Sequence, residues 1–163
     1  MGVRNCAELG ENLQVIVKAL CANQKLLKYL YYSGKDPLNH PDLDQIVIQK
    51  EIMNKLIRII PKVGPKETAQ SVLVIRVANG RKLSENKEFK LISLVVEIFV
   101  PLTQWIIKSD NLRPFLILGE IQKSLDGKTI NGLGKLEGGD FDLNFITDEI
   151  ASYEMLFNIT AYD

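Results

Sequence analysis

From Ile92 to Val100 every second residue is a large aliphatic: Ile92, Leu94, Val96, Ile98 and Val100. A period of two puts all five on one face of a β-strand. A strand of that length with so apolar a face has to sit in a sheet against a second layer. The expected strand runs from Phe89 to Val100. Its other face, Leu91, Ser93, Val95, Glu97 and Phe99, is mixed and is expected to be covered only in part.

The segments around this strand set the fold class. Leu9, Leu13, Ile16 and Leu20, then Leu27, Leu30 and Tyr31, recur at helical spacing from Glu8 to Tyr32. Ala22-Asn23-Gln24 interrupts that stripe, with Asn23 placed to cap a second helix, and Ser33-Gly34 ends it. Lys35 to Pro41 reads as a loop. Asp42 or Asp44 caps an expected helix to about Lys55, burying Ile46, Ile48, Ile52 and Met53. Ile57, Ile59 and Ile60 before Pro61 give a short strand, and Ser71 to Ala78 alternates as a longer one. Asn79-Gly80 reads as a tight turn, and Arg81 to Lys90 as a charged loop or arm. Ser109 or Asp110 caps a helix to Leu125, with Leu112, Phe115, Leu116, Leu118, Ile121 and Leu125 apolar and Pro114 in its first turn. Asp126-Gly127 stops it. Ile130 to Leu136 and Ala151 to Tyr162 give two closing strands. The expectation is one α+β domain over residues 1–163, helical over 8–55 and sheet plus helix over 56–163. Its antiparallel sheet has about four to five strands, with a helix packed on one face.

Lys+Arg and Asp+Glu are both 20, so the chain carries no net charge. A free nucleic-acid binder would show a basic excess, because phosphate neutralisation supplies most of its affinity. Neutrality instead weakens self-repulsion and suits association between proteins. The first twelve residues contain no apolar run of a secretory leader. Cys6 stands where an acylation signal starting Met1-Gly2 requires Ser or Thr. Cys6 and Cys21 lie about 22 Å apart on a continuous helix and cannot bridge there, so both are expected as free thiols.

Catalytic chemistry finds little support. His40 is the single histidine, between Asn39 and Pro41, and no nucleophile motif accompanies it. Zinc would need more Cys and His than the chain has. A small metal-dependent nuclease is the strongest catalytic alternative, with Asp42, Glu88 and Lys90 holding magnesium against a phosphate. Against it, Asp42 heads a helical pattern, and the acid-x-Lys spacing recurs at Glu85-Lys87 and Asp126-Lys128. The stretch Asp140, Asp142, Asp148, Glu149 after Gly138-Gly139 reads as a solvated turn, since calcium needs oxygen ligands at fixed offsets. No cofactor and no metal are expected, and Trp105 is read as a core residue.

The apolar strand leading to Gln104-Trp105, the helix opened by Leu112-Arg113-Pro114, and Gly132-Leu133-Gly134-Lys135-Leu136 before the last strands form one pattern. Asn23-Gln24-Lys25-Leu26-Leu27-Lys28-Tyr29-Leu30-Tyr31-Tyr32 and Ile60-Pro61-Lys62-Val63 extend it through most of the chain. This pattern resembles tail-completion proteins of tailed bacteriophages, from the neck or head–tail joining region. The resemblance implies a structural virion protein, not an enzyme, assembled in the host cytoplasm. It implies a homo-oligomeric ring, sixfold, in contact with other tail or connector proteins. DNA would pass through as cargo, and no membrane would be involved. The expected subunit interface comprises Arg81, Lys82 and Lys87 from the charged loop and Leu91, Val95 and Phe99 from the half-covered strand face. A protein-binding adaptor that forms no ring is the other alternative.

Overall fold

The computed structural model describes residues 8–59, 70–82, 89–130 and 133–162. Helix α1 spans Glu8–Cys21 and buries Leu13, Ile16, Val17 and Leu20. The break falls where the sequence places it. Asn23 caps α2, Gln24–Tyr31, its Oδ1 accepting from the Leu26 amide at 3.1 Å. A 3-10 turn, Pro37–Asn39, follows.

The helix expected from Asp42 or Asp44 to Lys55 is much shorter. Asp44 caps a single α-turn, α3 (Gln45–Val47), by accepting from the Val47 amide at 2.8 Å. The chain then widens into a π-turn over Ile48–Ile52, closed by Met53 N–H donating to Ile48 O at 2.9 Å. The wider turn carries Ile48 and Ile52 inward and leaves Ile46 in solvent, contrary to expectation.

Strand β1, Ile57–Arg58, pairs parallel with β2, Val72–Lys82. Strand β3, Phe89–Pro101, runs antiparallel to β2. Asn79-Gly80 is therefore not a turn. A bulge between Val77 and Asn79 absorbs the change of register, and β2 continues through Arg81 and Lys82, which sequence reading gave to a loop. Residues 60–69, 83–88 and 131–132, including Lys87 and Glu88, lie outside the described residues.

A 3-10 turn, Leu102–Gln104, leads to α4, Arg113–Leu125. Pro114 stands in its first turn, as its missing N–H requires. The expected caps fail, because Asp110 adopts a positive φ (55°) and Leu112 holds the cap position without a side-chain bond. Strands β4 (Thr129–Ile130), β5 (Gly134–Ile146) and β6 (Ile150–Tyr162) complete an α+β fold. The order is β1-β2-β3-β6-β5-β4, six strands where four to five were expected, and the one parallel pair makes the sheet mixed. The extra length lies in β5. Asp140 and Asp142, read as part of a solvated turn, are strand residues.

Ile75, Leu94, Val96, Ile98, Phe157 and Ile159 form the sheet's share of the core, and Ile117, Leu118, Ile121 and Leu125 of α4 the helical share. Helix α4 meets β3, β5, α1 and α2. Asn23 joins these layers. Its Nδ2 donates to Glu120 Oε2 and Ser124 Oγ, both at 3.0 Å. Burial alone would push the Glu120 carboxyl up, but hydrogen bonds from Lys123 and Asn23 outweigh it and hold it below the ordinary value of 4.5. A depressed carboxylate stabilises the fold above its unfolded pKa and loses that contribution as pH falls through its folded one. The stability advantage of the native chain over Glu120→Gln is therefore expected to be full at about pH 6 and to shrink towards about pH 3. Urea midpoints at the two pH values check this.

Candidate interaction surface

The outer half of β5 departs from the rest of the sheet. Among the described residues, β4 pairs only with Gly134 and Lys135, so from Gly138 onward β5 is a sheet edge facing no strand. Side chains on this half are exposed on both faces. Phe141 is 49% exposed, Leu143 50% and Ile146 64%. Two bulges, between Gly138 and Asp140 and between Leu143 and Phe145, bracket the regular stretch Asp140–Leu143.

Phe141 continues into an aromatic cluster on the helix side. Phe115 of α4 lies 6.1 Å from Phe141 and 5.3 Å from Tyr153 between ring centroids, and Trp105 lies 6.2 Å from Tyr153. Trp105 is half-buried against the core, while Phe115, expected inside, is exposed together with Ile106 and Leu102. Natural edges are normally blunted by charge, bulges or a covering element. Here the bulges and aspartates are present, but the apolar side chains between them remain open, as partner surfaces do.

The opposite sheet face is held by a polar cluster. Arg76 donates through Nη1 to Glu97 Oε2 and through Nη2 to Glu154 Oε2, the latter at 2.8 Å. Glu97 Oε1 accepts from Asn144 Nδ2 and Ser152 Oγ, both at 2.7 Å. Both oxygens of this buried carboxylate are satisfied, as burial demands. Asn144 sits at the second β5 bulge, so the cluster clips the free strand across β6 to β3.

The expected interface residues scatter around this frame. Val95 is only 7% exposed, on the ladder between Arg76 and Leu156, and Leu91 and Phe99 are half-buried. That face leaves less apolar area free than its sequence suggests. The larger open area is on β5, which sequence reading passed over. Arg81 and Lys82 end β2.

Of the nuclease residues, Asp42 is exposed and bound to Lys28 at 2.7 Å. Lys90 lies in β3, and Glu88 is outside the described residues. No group of three or more His, Cys, Asp or Glu among the described residues is placed to hold a metal ion. His40 is exposed and stacks on Tyr32 at 4.0 Å. Cys21 is buried and free, its thiol pushed up to about 11 by burial; Cys6 is outside the described residues. Among the described residues, no helix is long and apolar enough to cross a membrane.

No curated protein matches the sequence. The family model described as YomW matches residues 23–159, from the Asn23 cap of α2 to near the end of β6, and with most of its length so matched the chain belongs to the YomW family.

Proposed function

We propose that this protein is a structural virion protein of the phage neck, a tail-completion or head–tail connector subunit that works by assembling into a ring. The observation that carries the proposal is the open β5 edge, with Phe141, Leu143, Phe145 and Ile146 exposed along it. A strand edge with free N–H and C=O groups and apolar side chains on both faces is stabilised by another protein surface far more than by water. The sequence resemblance to tail-completion proteins supplies the biological setting, and zero net charge fits a ring through which DNA passes without being read. Its mechanism is assembly: subunit surfaces meet head to tail, the rotation closes, and the ring caps the tail or seals its joint to the head.

Negative-stain images and native mass of the purified full chain, over a range of concentrations and with tail tubes or connectors added, test the reading. Closed rings, six subunits by the resemblance, are the expected result. A chain that stays monomeric under all these conditions would sink it.

A further inference from the structure

Besides β5, the sheet has a second open edge. Among the described residues, β1 pairs with β2 only at Leu73 and Val74, so beyond its bulge β2 presents Asn79-Gly80-Arg81-Lys82 with β3 on one side and no strand on the other. The two edges occupy opposite corners. Asp142 of β5 is level with Glu154, Glu97 and Val74, whereas Arg81 of β2 is level with Leu91 and Thr160, the latter paired to Lys135. Strands β2 and β5 also run in opposite directions, since each step β2-β3-β6-β5 is antiparallel.

We infer that the partner for the β5 edge is the β2 edge of a second copy of this chain, which adds antiparallel at Asp140–Leu143 against Asn79–Lys82. The inference rests on the ring reading above and names the surfaces that make the ring. Charge selects this partner. With Lys82 opposite Asp140, Gly80 faces Asp142, Arg81 faces Phe141, and Asp142 lies diagonal to Lys82. Slipping by two residues puts Lys82 opposite Asp142 instead. Either way, acid meets base across the strands. A two-fold pairing of β5 with β5 does the opposite: it sets Asp142 against itself or Asp140, or an aspartate against Phe141 or Leu143.

Geometry favours closure. With Gly80 opposite Asp142, the two edges are offset by the five residues between Glu97 and Ile92 on β3, about 17 Å at the usual rise per residue. Four long strands per copy span about 19 Å across. A step of that shape tilts the strands by about 40° for any number of copies, within the 35–45° typical of closed sheets. Strand β1, level with Leu73 and Val74, stops short of the incoming strand, and β4, level with Lys135, lies past its far end.

The test uses the full chain with Cys6→Ser, buried Cys21 being a poor thiolate. Asn79→Cys combined with Leu143→Cys, treated with a short bis-maleimide, is expected to give a ladder of covalent oligomers, and each single variant none. Leu143→Cys alone giving a covalent dimer would establish β5–β5 pairing and overturn the inference. A charge exchange provides the second arm. Asp140→Lys is expected to weaken assembly about tenfold, and adding Lys82→Asp to restore most of it. Rings that form but show no ladder and ignore both charge changes would overturn the edge pairing while leaving the ring reading intact. A wild-type chain that never assembles would overturn both.

Discussion

Arg113→Met is expected to lower the stability of the chain by about 4 kcal/mol or more, enough to leave a typical domain marginal. Arg113 opens α4 yet has no solvent exposure. Its Nε donates to Gln104 O at 2.9 Å, and Nη1 to Tyr29 O at 2.7 Å and Tyr32 O at 2.8 Å. Nη2 donates to Gly34 O and more distantly to Ser33 O. One guanidinium thus gathers the carbonyls at the C-terminus of α2, where a cation also meets the helix dipole favourably, together with the loop before α4. Burial lowers its pKa, which the nearby Tyr29 partly opposes, and arginine stays cationic through this. Methionine fills the space but leaves several buried carbonyls without donors, each costing about 1–3 kcal/mol. Arg113→Lys is expected to recover only part of the loss, because one ammonium cannot fan out to five separated acceptors. Urea midpoints of the three proteins check this; equal midpoints for wild type and Arg113→Met would refute it.

Gly138→Ala is the second large effect. Gly138 has φ +149°, a conformation that side-chain-bearing residues avoid, and a Cβ there would overlap the Leu156 carbonyl oxygen and press on Phe157 Cα. Both are backbone of the neighbouring strand and cannot yield without unpairing it. The expected outcome is a loss of about 3 kcal/mol, with β5 freed from β6 beyond residue 138 and assembly abolished with it. Gly119 in α4 is the control, since a Cβ there meets nothing within 4 Å. Gly119→Ala should stabilise by about 0.5–1 kcal/mol through helix propensity. Denaturation curves and hydrogen exchange in β5 report both.

Much of the framework was legible because burial writes itself as period. Strands β2, β3 and β6 alternate, and the α1–α2 break shows in the lapse of the helical stripe at Asn23. Strand β5 was not read correctly, although Phe141, Leu143 and Phe145 alternate too. Glycines and aspartates are poor strand formers in isolation, and here bulges at Gly139 and Asn144 accommodate them while Glu97 holds Asn144 in place. Asn79-Gly80 misled for a related reason: a bulge can carry a turn-forming pair through a strand. Arg113 was seen only as the opening of a helix, since no local pattern announces that a charged residue will be enclosed by distant carbonyls. The interaction surface was half legible. Arg81 and Lys82 were singled out by charge, whereas the exposure of β5 follows from strand order, which no single segment encodes.

Backbone hydrogen exchange over residues 140–143, measured on the full chain at rising concentration, tests the central claim most directly. Amides whose edge is covered by another copy become protected as assembly proceeds, while those of Leu94–Ile98, already paired on both sides within one chain, keep their protection throughout. Amides of Asp140–Leu143 that exchange at the same fast rate in the monomer and in the assembled form would contradict the account.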